Sequence, residues 1–124
     1  MPVEPADRLA RGHRFEEIAR RHLESHGLHL VSRNFRARGG EVDLVMTEQA
    51  TVVFVEVRSR TNADVVSPAA TVTAAKQRRV IIAAQWFLVR HPRLASRPCR
   101  FDVVGITGSL ERHEVTWLKA AFTA

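Results

Sequence analysis

Two carboxylates stand in strongly apolar surroundings: Asp43 within Gly39-Gly40-Glu41-Val42-Asp43-Leu44-Val45, and Glu56 within Val53-Phe54-Val55-Glu56-Val57-Arg58. Carboxylates are costly to bury among Val, Leu and Phe unless something pairs with them. A divalent cation is one such partner. Both segments alternate like short strands, and a hairpin turning at Glu48-Gln49 pairs Val42 with Val55 and Leu44 with Val53. Side chains alternate between faces, so Val42, Leu44, Met46, Val53, Val55 and Val57 form one apolar face. Glu41, Asp43, Phe54, Glu56 and Arg58 form the other. In that register Glu41 opposes Glu56 and Asp43 lies diagonal to it, roughly 7–8 Å away and within reach of one ion. Paired carboxylates suit hard, oxygen-seeking Mg²⁺ or Mn²⁺. A half-exposed hairpin with a polar outer face would carry the same residues, so the pair alone leaves both readings open.

The elements around this hairpin follow from periodicity. Asp7 to His26 reads as a helix with Phe15, Ile18, Ala19 and Leu23 on one stripe and Gly27 as its C-terminal cap. Glu16 falls at the edge of that stripe and Glu17 points away. Glu16 is therefore the helix acid to watch, unless it only pairs with Arg20 one turn on. Leu28 to Phe35 reads as a strand, and Arg36 to Gly40 as a basic turn whose glycines admit a close ligand or simply permit the turn. Asn62 to Pro68 is polar and reads as a loop. Thr73 is placed to cap a helix running to about Arg90, with Val80, Ala83, Ala84, Phe87 and Leu88 toward the core and His91-Pro92 ending it. Lys76 lies on that stripe, where it either leans toward a buried anion or extends into solvent. After a loop from Arg93 to Arg100, Phe101 to Ile106 and Glu114 to Leu118 read as strands. A helix between the strands ending at Arg58 and starting at Phe101 implies a right-handed crossover. The expected fold class is α/β, a mixed β-sheet flanked by helices in a single domain spanning residues 1–124.

Composition bounds the function. The chain of 124 residues is 45% hydrophobic, enough for one soluble core. A single cysteine, Cys99, excludes an internal disulfide and a cysteine-based zinc cluster. No apolar run is long enough to span a bilayer, and Met1 to Arg21 mixes acids and arginines instead of forming a secretory signal. A cytoplasmic protein is expected. The net charge of +6 favours a polyanionic partner. Arg8, Arg11, Arg14, Arg20, Arg21, Arg33, Arg36 and Arg38 all precede the acidic hairpin, which suggests a basic face beside an acidic site.

Other chemistry-bearing residues lack a supporting pattern. His22 and His26 have helical spacing but no neighbouring catalytic glutamate, and read as solvated histidines. Ser59, Ser67 and Cys99 show no nucleophile elbow or Cys/His arrangement. Asp102 either supports the acidic site or caps a backbone group. Arg78 and Arg79 read as solvated or phosphate-facing, and the sequence shows no aromatic stacking platform and no heptad seam.

The order of Glu16, Asp43 and Glu56-Val57-Arg58 resembles the PD-(D/E)xK nuclease superfamily, with its restriction-endonuclease-like fold. A closer resemblance is to the small bacterial YraN family, predicted endonucleases related to archaeal Holliday junction resolvases. It covers nearly the whole chain through Gly12 with Glu16, Ala19 and Leu23; Arg33-Asn34-Phe35-Arg36; Gly40 to Val45; Val53 to Arg60; Lys76; and Arg100 to Val104. The resemblance implies a Mg²⁺- or Mn²⁺-dependent phosphodiesterase. Asp43, Glu56 and the carbonyl of Val57 would hold the ion, and Glu16 would support it through water or a second ion. Arg33, Arg36, Arg38 and Arg60 would contact nucleic acid, DNA in the first instance.

Two departures matter. The superfamily carries lysine where this chain has Arg58, and arginine stays charged at any usable pH. Arg58 can stabilise transition-state charge but cannot activate water, which makes Lys76 the candidate for a migrated lysine. Phe15 replaces a glycine common in relatives and adds an apolar contact. The expected function is a metal-dependent endonuclease acting on DNA, including branched DNA, with a homodimer as one assembly; the alternative is a noncatalytic nucleic-acid-binding module with a degenerate site.

Overall fold

The computed structural model describes residues 5–60 and 72–124, with side chains from residue 10 onward in the first helix. Helix α1 spans Pro5–Ser25 and strand β1 His29–Ala37. Strands β2 (Gly40–Glu48) and β3 (Thr51–Arg60) form the hairpin, and helices α2 (Ala74–Arg90) and α3 (Pro92–Ala95) lead to β4 (Cys99–Gly108) and β5 (His113–Phe122). The loop expected at Asn62 to Pro68 lies outside the described residues.

Local signals in the sequence end these elements where expected. Gly27, at φ 94°, lets α1 turn back: its N–H donates to Glu24 O, and that of Leu28 to Leu23 O. The last carbonyls of the helix are thereby satisfied. Thr73 caps α2 by accepting from the Lys76 N–H at 3.2 Å. A short helix, α3, occupies part of the segment read as a loop, because Pro92 suits a first helical turn.

The sheet runs in the order β1-β2-β3-β4-β5. Its β3–β4 pair is parallel and the other neighbours are antiparallel. This mixed sheet, flanked by helices, is an α/β architecture consistent with a restriction-endonuclease-like fold. Leu44, Met46, Val53, Val55, Val104 and Ile106 pack with Phe15, Ala19 and Leu23 of α1. Val42, Val45, Val52, Phe54 and Phe101 pack with Val80, Ala83, Ala84 and Phe87 of α2. Every residue from Val52 to Glu56 is buried. Of the two readings left open for the hairpin, the half-exposed one with a polar outer face is therefore not formed: β3 is the central strand, and Phe54 belongs to the core.

Three further expectations change. The hairpin turns at Gln49-Ala50, so Leu44 pairs with Val55 and Met46 with Val53. This moves the register by two residues, a shift that by itself keeps side chains on their original faces. Val42 then joins the α2 cluster while Leu44 joins the α1 cluster, so regular alternation breaks at Asp43. Finally, Gly40 serves packing: a Cβ there would lie 2.5 Å from Arg79 O and 2.6 Å from Ala83 N. Its bare backbone is what allows β2 to start against α2.

Candidate active site

Asp43 stands at the break. Pairing of β2 with β3 ends at Leu44 and Val55, and the next free donor on β3, the Val57 N–H, is taken by Asp43 Oδ2 at 2.8 Å. A side chain thus replaces a strand carbonyl. Beside this position lies a cleft of ≈ 210 Å³ lined by Gly12, His13, Glu16, Asn34, Arg36, Glu41, Val42 and Asp43.

Glu56 is 1% exposed. Its carboxyl is pushed up to about 9, first by burial, then by the hydrogen-bonding and charge of neighbouring Asp43, with Lys76 opposing. Lys76, on the first turn of α2, brings Nζ to 3.3 Å from Glu56 Oε2. That separation is an ion-pair distance, yet among the described residues Oε2 has no hydrogen bond of good geometry. A buried oxygen in this condition has exchanged water for a charge contact alone. Glu56 does not itself line the cleft, which Asp43 and Glu16 do.

Glu16 is half-buried, and its carboxyl is raised first by burial and then by Asp43, while a hydrogen bond with Asn34 and the charges of His13 and Arg33 lower it. The ion pair with Arg20 considered for Glu16 belongs instead to Glu17 and Glu24. Glu17 also lies 3.6 Å from Arg33, and its hydrogen bond with Arg20 holds its carboxyl at about 2. Glu16 is thereby left to the cleft.

Glu16, Asp43, Glu56 and Lys76 come from four elements, α1, β2, β3 and α2, with Val57 beside Asp43. Arg58 lies half-buried two residues beyond Glu56, paired through backbone with Gly105 of β4, and Arg60 pairs with Thr107. Arg36 reaches Glu41 at 3.8 Å on the cleft rim. Arg33 borders an adjoining cleft of ≈ 230 Å³ with Glu16 and Asn34, and Arg38 is exposed in the turn before β2. Glu41, expected opposite Glu56, instead forms ion pairs with Arg36 and with Arg79, the latter at 3.4 Å.

Asp102 does not join the site. Fully buried on β4, it accepts from Arg100 Nε at 3.0 Å, Trp117 Nε1 at 2.9 Å and the Ala120 N–H at 2.9 Å. Of the two roles left open for it, the cap is the one observed. His22 and His26 are not simply solvated, since their rings lie 4.6 Å apart and edge against Trp117.

Asn34 escaped the residue-level reading. It sits in β1 at φ 52° and sends its side chain to Glu16. An asparagine inside a strand is depleted, and it tolerates the left-handed region better than most residues. That mismatch was the available signal.

The comparisons bear on this same set of residues. The model of the uncharacterised protein family UPF0102, the YraN family, matches residues 15–106, which include Glu16, Asp43, Glu56 and Lys76. The chain belongs to this family. A UPF0102 protein of Saccharophagus degradans is 46% identical over 112 residues, covering 90% of this chain and 92% of its own. Those of Xanthomonas campestris pv. campestris and Chromohalobacter salexigens are each 48% identical over 118 residues, covering 95% of this chain and 95% and 94% of their own. Family membership thus extends over nearly the whole chain. Among the described residues, no helix is long and apolar enough to cross a membrane.

Among the described residues no three His, Cys, Asp or Glu side chains form a ready cage. Mg²⁺, however, is commonly held by one or two carboxylates together with waters and substrate phosphates. Glu56 Oε2 without a well-formed hydrogen bond among the described residues, next to Asp43, is a donor set that fits such an ion.

Proposed function

We propose that the protein is a Mg²⁺- or Mn²⁺-dependent endonuclease that hydrolyses phosphodiester bonds in DNA, branched DNA included. It would act in the cytoplasm, with a second copy of the chain as its partner on two-fold junctions. The observation carrying this reading is the buried Glu56 carboxyl beside Asp43, whose Oε2 makes no well-formed hydrogen bond among the described residues although Lys76 Nζ lies 3.3 Å away.

Asp43, Glu56 and the Val57 carbonyl would hold the ion. When bound, it would polarise the scissile phosphate, activate water and stabilise the leaving oxygen. The remaining work falls to the chain. Lys76 would orient the attacking water and move its proton, the role that arginine at position 58 cannot perform. Arg58 would stabilise charge developing on phosphorus-bound oxygens. Glu16, steered by Asn34, would order water at the cleft, and Arg33, Arg36, Arg38 and Arg60 would hold the nucleic-acid backbone.

Arg58 favours a second reading, in which the fold binds nucleic acid without cutting it. Labelled duplex, single-stranded, flap and four-way-junction DNA, incubated with Mg²⁺ or Mn²⁺, separates the two. Cleavage by the wild type that vanishes in Asp43→Ala, Glu56→Ala supports the endonuclease. Metal-independent binding with no cleavage supports the binding module and rejects the enzyme.

A further inference from the structure

The outer flank of α2 carries residues that the acidic site does not use. Arg79, Trp86 and Arg90 follow Lys76 at helical spacings that place them along one side of the helix. Trp86 is 42% exposed, although a ring of that size is usually covered. Arg90 lies 6.0 Å from the Trp86 ring centroid and 5.5 Å from that of Phe35. At the other end of the flank, Arg79 and Arg36 share Glu41 on the rim of the cleft. Helix α2 has four basic residues, Lys76, Arg78, Arg79 and Arg90, and no acidic one.

We propose that this flank is a single-strand track: Arg79 and Arg90 hold the backbone of an unpaired DNA strand leaving the cleft, and Trp86 stacks on one of its bases. The proposal rests on the nucleic-acid reading above and adds a substrate class to it. Charge complementarity selects a polyanion, and the exposed ring beside a guanidinium selects one with accessible base faces. Bases inside a duplex are stacked on each other, so an intact duplex offers Trp86 nothing comparable. Ten residues of helix place Trp86 about 15 Å along the axis from Lys76. At ~3.4 Å per nucleotide, the duplex rise and hence the shortest spacing of an unpaired strand, that is at most about four steps from the acidic site. The unpaired arm of a flap or an opened junction meets this requirement.

The test uses oligothymidylate and a blunt duplex of equal length, in EDTA so that binding is read without cleavage. Oligothymidylate is expected to quench the tryptophan emission of the wild type, and this quenching is absent in Trp86→Phe. Its affinity falls ~10-fold in Trp86→Ala and is largely kept in Trp86→Phe, while duplex affinity changes little. Equal binding of oligothymidylate by wild type and Trp86→Ala overturns the track, and an accompanying shift from dimer to monomer in sedimentation would assign Trp86 to contact between copies. Metal-dependent duplex cleavage at the wild-type rate by Trp86→Ala shows whether the nuclease reading survives that result. Conversely, Trp86-dependent strand binding in a protein that never cleaves keeps the track and rejects the nuclease.

Discussion

The backbone N–H of Val57 on β3 donates to Oδ2 of Asp43 on β2 at 2.8 Å, at the point where the two strands stop pairing. One side chain both ends the ladder and borders the cleft. These two duties can be separated by substitution. Asp43→Asn retains an oxygen able to accept from Val57 and should fold nearly as the wild type does, while losing Mn²⁺ binding. Asp43→Ala leaves the N–H without its partner and should cost about 1–3 kcal/mol in urea unfolding. Equal stability of the two variants would show that the bond does not hold the break.

Glu56 makes stability depend on pH in a direction opposite to that of an ordinary paired carboxylate. Its folded value of about 9 exceeds the ordinary 4.5, so the folded state binds the proton more tightly. The associated stabilisation is complete below 4.5 and declines as pH rises toward 9. Melting of the metal-free wild type should therefore fall across that window more steeply than melting of Glu56→Gln. Added Mn²⁺, which requires the ionised carboxylate, should raise the melting temperature more at pH 8 than at pH 6. Parallel melting curves for wild type and variant would contradict the assignment.

Lys76 offers a kinetic test. Removing a group that moves a proton typically slows the step about 10²–10⁴-fold. Lys76→Ala should reduce single-turnover cleavage on that scale, and Arg58→Lys in the same chain should restore part of it. Undiminished cleavage by Lys76→Ala would remove Lys76 from the mechanism.

Asp102 should matter to stability alone. Asp102→Ala leaves Arg100 Nε, the Trp117 N–H and the Ala120 N–H without their acceptor, while Arg100 keeps Glu48 at 2.7 Å, at a cost of about 1–3 kcal/mol for each donor left unsatisfied. Chemical denaturation would read that loss. Cleavage per folded molecule should be unchanged, and a selective loss of turnover would instead tie Asp102 to the acidic site.

Much of the fold was legible because periodicity is local. The stripe Phe15, Ile18, Ala19, Leu23 and the terminal Gly27 specify α1, and Thr73 marks the start of α2. The hairpin register was not legible. A shift by two residues leaves every side chain on the same face, so the pattern cannot distinguish a turn at Glu48-Gln49 from the observed turn at Gln49-Ala50. Burial of Phe54 was hidden for a related reason, since a central strand covered on both sides has no need to alternate.

The sequence by itself determined the acids, the basic balance, the two long helices and the succession of strands along the chain. Only the tertiary structure decided that Asp43 faces Val57, that Lys76 lies beside Glu56, and that Arg20 turns to Glu17 and leaves Glu16 at the cleft. Side-chain types and short periodicities are properties of neighbours along the chain. Contacts between β2 and β3, or between α2 and β3, depend on register and on how a helix lies across the sheet, and local alternation carries no record of either.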